Sequence, residues 1–254
     1  MVVSVEISGV LEHKLRRLVD LGIYASVSEA VRDAVRRMLS SMDLRRIALN
    51  FYVTKGSSLA YACEFAETTC PKFIDYLLVN GVTPGLGWQG DVPDVDSSGT
   101  YLIDSISIFV IFNTLLYNIF HGVGNVIELY IPESLAHYYR LMSATASRVG
   151  AKKLPAFKLI KIKESKPPQN LLLTRHEYSI INHAKNTKMT VVSDDFYVQK
   201  VASQNNIKVI PSISFLLYAR KQKIINDIEY RETLLSLRGL PYMYPSSMEE
   251  AEQR

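Results

Sequence analysis

From residue 101 onward the chain alternates short runs of β-branched and aliphatic residues with stretches of helical periodicity, and two of those runs stop on an acid. Tyr101-Leu102-Ile103 runs into Asp104, and Met189-Thr190-Val191-Val192-Ser193 runs into Asp194-Asp195. Strands alternating with helices predict a parallel sheet covered by helices, a three-layer α/β domain. The pattern predicts strands at 101–104, 126–131, 157–163, 189–193 and 207–210. Helices are expected at 106–120, 133–147, 176–186, 196–204 and 213–221, with a helical tail after them. The carboxyl ends of parallel strands collect at one edge of the sheet. Asp104 and the Asp194-Asp195 pair are therefore expected together, and Glu177, which opens the 176–186 helix, can point toward them.

Carboxylates crowded at one edge repel unless a cation neutralises them. Mg²⁺ or Mn²⁺ suits such all-oxygen donors, and metal-activated water attacks phosphodiesters. Asp104, Glu177, Asp194 and Asp195 are thus the candidate catalytic and metal-ligating residues. Each one taken singly reads more simply as a helix cap; three or four at corresponding ends of strands carry more weight. Lys152, Lys153, Lys158, Lys161 and Lys163 form a strip without an acid in 152–163, either a phosphate track or a solvated strand face. The net charge of +4 allows a nucleic-acid partner without demanding one.

Residues 105–127 carry no Asp, Glu, Lys or Arg and are long enough to span a membrane. Asn113, Asn118, His121, Gly122, Gly124 and Asn125 interrupt them, so a buried core segment and no membrane partner are expected. The two cysteines, Cys63 and Cys70, form no CxxC pair. Reduced thiols and a cytoplasmic location are the default expectation, and no signal pattern opens the chain.

The first 41 residues read as strand, helix, helix. Val3, Val5 and Ile7 alternate with Ser4, Glu6 and Ser8; Leu11, Leu15, Leu18 and Val19 then share a helical face, which Gly22 ends. Ser26 or Ser28 caps a second helix with a stripe of Ala30, Val31, Ala34, Val35 and Leu39. A lone strand must pair, most simply with its copy in a second chain. Residues 42–83 are helical again, with Ser57-Ser58 opening one helix and Pro71 another. Residues 84–100, rich in Gly, Pro, Asp and Ser, read as a linker before a domain spanning 101–254.

Val3 to Ser8, with Gly22-Ile23-Tyr24-Ala25-Ser26-Val27-Ser28-Glu29-Ala30-Val31-Arg32-Asp33-Ala34, resembles a ribbon-helix-helix domain. The resemblance implies an intertwined dimer whose ribbon enters the DNA major groove, with Ser4, Glu6, Ser26 and Ser28 at the nucleic-acid face. Glu6 stands where that family usually has Arg or Lys, and Val27 where Arg is common. The 42–83 region is similar to the helical body of VapB-like antitoxins, through Tyr52, Ser58-Leu59, Ala62, Phe73, Leu77 and Gly81.

Residues 101 to about 250 resemble the PIN domain of VapC-type toxins. The match runs through Leu102-Ile103-Asp104-Ser105, Tyr130-Ile131-Pro132-Glu133-Ser134-Leu135, His176-Glu177, Val191-Val192-Ser193-Asp194-Asp195 and Ile207-Lys208-Val209-Ile210. This implies a Mg²⁺- or Mn²⁺-dependent endoribonuclease in which Asp104, Glu177 and Asp194 or Asp195 hold the metal and Ser105 assists. The family's helix Glu after Pro132 is missing. His137 and Tyr138 stand in its place, Glu133 comes a turn early, and His137 is a candidate proton donor or softer ligand. Lys158, Lys161 and Lys163 are candidate RNA contacts. The expected whole is a dimer, or a larger homo-oligomer, in which an antitoxin-like module is fused to an impaired or autoinhibited nuclease. The alternative is a non-catalytic regulator or interaction protein that binds DNA and keeps a degenerate PIN scaffold. Residues 73–139 contain no Lys or Arg, so no cation from that stretch can block the acids.

Overall fold

The computed structural model describes residues 4–148, 150–151 and 154–243, and the chain divides into two compact units, Met1–Arg46 and Ile47–Arg254.

The first unit is a helical pair, α1 (Gly9–Asp20) and α2 (Val27–Ser41). Gly22 takes a left-handed φ of 70° behind α1, as a chain leaving a helix requires. Ser26, not Ser28, caps α2: its side chain accepts from the Glu29 N–H, and the Glu29 carboxylate returns to the Ala25 N–H. The strand expected over 3–8 is not formed by the described residues 4–8, and Val3 lies outside them. Ser8 is extended, but a single chain offers this segment no partner ladder. Among the described residues of this unit only Leu15 and Ala30 are buried. Val10, Leu11, Leu21, Ile23, Met38 and Leu39 remain exposed.

Helix α3 (Leu44–Thr54) begins in the last residues of the first unit and continues into the second, which adds α4 (Leu59–Phe65) and α5 (Cys70–Val79) and builds its sheet from β1 (Thr100–Ile103), β2 (Glu128–Pro132), β3 (Lys158–Ile160), β4 (Thr190–Val192) and β5 (Val209–Ile210). All neighbouring strands run parallel, in the order β3-β2-β1-β4-β5. The chain is therefore α/β with a parallel sheet, as the alternation predicts. Between β1 and β2 lie α6 (Ser105–Phe112) and α7 (Leu116–Val123). A 3₁₀ turn (Glu133–Leu135) and α8 (Ala136–Arg148) follow β2. Then come α9 (Arg175–Thr187), α10 (Phe196–Gln204), α11 (Ile213–Lys221) and α12 (Asp227–Leu237).

The single helix expected over 106–120 is two helices meeting at 111°. The break falls at Asn113-Thr114-Leu115, where Thr114 Oγ1 folds back on the Val110 carbonyl and the Leu115 N–H donates to Ser236 Oγ. α6 is buried from Ile106 to Phe112, which is why its apolar run shows no periodic stripe. Among the described residues no single helix is long and apolar enough to cross a membrane. β3 is shorter than the expected 157–163; it is an edge strand with one neighbour, and Leu159 is half exposed.

Residues 84–100, linker-like in composition, pack into the second unit. Leu86 is fully buried and bridges Asp195, the Gly87 N–H donates to the Asp194 carbonyl, and Gly87 pairs with Met243. At Gly87 φ is 115°, and a Cβ there would sit 2.2 Å from the Met243 carbonyl oxygen, so only glycine allows this approach.

From β1 the chain winds outward to β2 and β3, then returns to build β4 and β5 on the other side. The winding reverses between β1 and β4. In parallel sheets that reversal opens a crevice at the carboxyl ends of the two strands.

Candidate functional site at the carboxyl edge of the sheet

The four acids meet at that crevice. β1 pairs with β4 through Ile103 and Val192, so Asp104 emerges beside Ser193-Asp194-Asp195. α9 brings Glu177 to the same place. Asp104, Glu177 and Asp194 are fully buried and Asp195 nearly so, and they lie within electrostatic reach of one another.

Each acid also has a local structural task. Asp104 caps α6 by accepting from the Ser107 N–H at 2.7 Å. Asp195 caps α10 through the Tyr197 and Val198 N–H groups, at 2.8 and 3.2 Å. Glu177 closes a capping box with Thr174 at the start of α9. Asp194 Oδ1 accepts from the Ser212 N–H at 3.0 Å and from the Tyr242 hydroxyl at 2.7 Å. These tasks use one oxygen of each carboxyl. The remaining oxygens Asp104 Oδ2, Glu177 Oε1 and Asp194 Oδ2 are buried without a hydrogen-bond partner.

A buried carboxylate in this state is costly. Burial, against the opposing pull of its hydrogen bonds, lifts the Asp104 carboxyl to about 7. Glu177 and Asp195 are pushed up first by burial and then by a neighbouring acid, Asp195 acting on Glu177 and Asp104 on Asp195. Burial also raises Asp194. Without a cation Asp104, Glu177 and Asp195 hold their protons toward the neutral range.

The fourth oxygen, Asp195 Oδ2, is claimed by α4. The Leu59 N–H donates to it at 2.6 Å, and the Ser58 hydroxyl donates to Glu177 Oε2 at 2.7 Å while accepting from the Tyr61 N–H as the cap of α4. The Ser58 N–H in turn donates to the Leu172 carbonyl. Both Ser58 and Leu59 are fully buried. The start of α4 is thus seated on two of the four acids.

Comparison with protein-family models, with curated proteins and with solved structures returned no match.

The donors suit Mg²⁺ or Mn²⁺: they are all carboxylate oxygens, three of them orphaned and buried. Yet among the described residues no three His, Cys, Asp or Glu side chains are grouped as a metal ion requires. The donor set fits the ion; the capped arrangement, with α4 holding Glu177 and Asp195, does not present it.

The other candidates are placed less centrally. Ser105 is the first residue of α6, but the hydroxyl that ties the acids together is Ser107 Oγ, which donates to the Val192 carbonyl and accepts from the Asp194 N–H. Glu133 and His137 are exposed, whereas the four acids are buried, and Tyr138 is part-buried; the neighbouring Ser134 hydroxyl lies 3.1 Å from His176 Nδ1 at the start of α9. Lys158 is exposed and paired with Glu128, whereas Lys161 and Lys163 are exposed on the segment that leaves β3. Lys152 and Lys153 lie outside the described residues. Ser4, Glu6, Ser26 and Ser28 are exposed in the first unit.

Ser58, Leu59, Ser107 and Tyr242 were not legible as contacts to the acids. The Ser57-Ser58 pair signals a helix start, but nothing local says what that start rests on.

Proposed function

We propose that the second unit is a Mg²⁺- or Mn²⁺-dependent endoribonuclease of PIN type, kept closed by its own α4, and that the first unit pairs two chains. The carrying observation is the set of four buried acids at the reversal point of the parallel sheet, three of them with an unpartnered oxygen. In this reading Asp104, Glu177 and Asp195 hold the ion and Asp194 supports them from the Tyr242 side. Bound there, the ion supplies the charge neutralisation and Lewis acidity that phosphodiester hydrolysis needs. Ser58 and Leu59 occupy the acids in the closed chain and exclude RNA. Lys161 and Lys163 bind backbone phosphates as it approaches, a contact that weakens with salt.

Cleavage of single-stranded RNA in Mn²⁺ tests the reading. The wild-type chain is expected to cut, and Asp104→Asn to fall by more than ~100-fold, beyond what loss of a merely supporting partner costs. No cleavage by wild type, or equal cleavage by both, sinks it.

The structural tasks of all four acids, three of them helix caps, favour a second reading, in which they are purely structural and the chain is a DNA-binding regulator. Salt-dependent binding to the chain's own upstream DNA separates the two; a specificity ratio near one rules out the regulator.

Dimerisation rests on the exposed apolar face of the first unit and the unpaired 4–8 segment. Light scattering should show the full chain at twice its monomer mass and a chain lacking residues 1–41 as a monomer. Equal association states for the two chains refute pairing through the first unit.

A further inference from the structure

A cavity of about 350 Å³ adjoins the acid cluster, within the range of small-molecule sites (roughly 300–1,000 Å³). Its walls come from the end of α3, the turn at 56–57, the 82–85 segment and the start of α10. Tyr52, Phe196, Tyr197 and the exposed Lys200 line it. Two glycines keep the space open. A Cβ at Gly85 would stand 3.3 Å from the Tyr52 hydroxyl and 3.5 Å from the Phe196 ring, and one at Gly56, where φ is 72°, would stand 3.4 Å from the Tyr197 ring. Phe196 and Tyr197 are half-buried and pair with no other aromatic ring among the described residues.

The polar groups left over in this cavity are donors. Asp195 forms part of the wall, but both its carboxyl oxygens are taken by the Leu59, Tyr197 and Val198 N–H groups. The Tyr52 hydroxyl accepts from the Gly85 N–H at 2.7 Å and the Tyr197 hydroxyl from the Leu172 N–H at 3.4 Å; among the described residues neither hydroxyl donates its proton. Lys200 has no acidic partner among the described residues. It follows Phe196 by four residues on α10, so ring and ammonium share one face of the helix. Such a cavity suits a ligand that is planar and aromatic at one end and anionic at the other. We propose that it binds a free nucleoside monophosphate, with the base against the Phe196 and Tyr197 rings and the phosphate on Lys200. Gly56 and Ser57 run directly into the Ser58–Leu59 cap, so the bound nucleotide also holds the start of α4 in place. This inference stands whether or not the acids act as a nuclease.

Calorimetric titration of adenosine 5′-monophosphate into the full chain, in EDTA and without RNA, tests the site. Saturable binding is expected, with adenosine and inorganic phosphate each at least ~10-fold weaker, since each keeps only half of the contacts. Lys200→Gln should weaken the nucleotide ~10-fold and leave adenosine unchanged. Phe196→Leu keeps the apolar bulk but not the stacking face, and should weaken both ~10-fold. Hydrogen exchange over residues 57–62 should slow by ~3-fold or more at saturating nucleotide. No saturable binding, inorganic phosphate binding as tightly as the nucleotide, or affinity unchanged in both variants overturns the site. Exchange unchanged at saturation overturns the hold on α4.

Discussion

The metal-free chain should lose stability as the pH rises from about 4 through about 7, and Asp104→Asn should lose less. The ordinary carboxyl value for Asp104 is 3.8, and burial lifts it to about 7 in the fold. The folded chain thus holds a proton that the unfolded chain has released. That contribution is fully present below the unfolded value and is lost as the pH climbs through the folded one. For Asp104 alone it is on the order of 4 kcal/mol, at about 1.4 kcal/mol per pKa unit. Glu177, Asp194 and Asp195 are shifted in the same direction by the same cause. Asparagine keeps an acceptor for the Ser107 N–H and carries no titrating proton. Urea unfolding of the two chains across this range reads the difference, which should widen in favour of Asp104→Asn as the pH rises. A constant difference contradicts the burial argument.

Ser58→Ala should weaken the fold and raise cleavage together. The hydroxyl has two bonds: it caps α4 by accepting from the Tyr61 N–H, and it donates to Glu177. Loss of the cap costs about 1 kcal/mol, and loss of a hydrogen bond to a buried carboxyl about 1.5 to 3 kcal/mol. The alanine chain should therefore unfold about 2.5 to 4 kcal/mol more easily. Only the part of this loss that favours local opening of α4 reaches the site. Each 1.4 kcal/mol of it is tenfold in open population, so ~10-fold more cleavage in Mn²⁺ is the expected minimum. Lower stability without faster cleavage would make α4 a structural prop and not a gate.

The order of strands and helices was legible because period and punctuation are local. The 196–204 and 213–221 helices fall where the pattern places them, and the acids after β1 and β4 were visible as strand ends. What was not legible depends on contacts distant in sequence. That β1 and β4 are neighbours follows from the route of the crossovers, which no run of residues encodes. The bonds from Ser58 to Glu177 and from Leu59 to Asp195 span more than a hundred residues, and the donors are a hydroxyl and a backbone amide. Neither donor carries a charge, so the distribution of Lys and Arg along the chain does not reveal them. Composition misled at 84–100, where Gly87, one of the glycines that suggest a tether, serves a close approach to Met243. At the start of the chain the alternating pattern is present but a single copy holds no strand for it to pair with.

Calorimetric titration of Mn²⁺ into the full wild-type chain and into Asp104→Asn tests the central claim, that the acids at the sheet's reversal point form a divalent-metal site. Saturable binding to wild type that is lost in Asp104→Asn is the predicted result. An absence of binding to wild type, or the same isotherm from both chains, would contradict it.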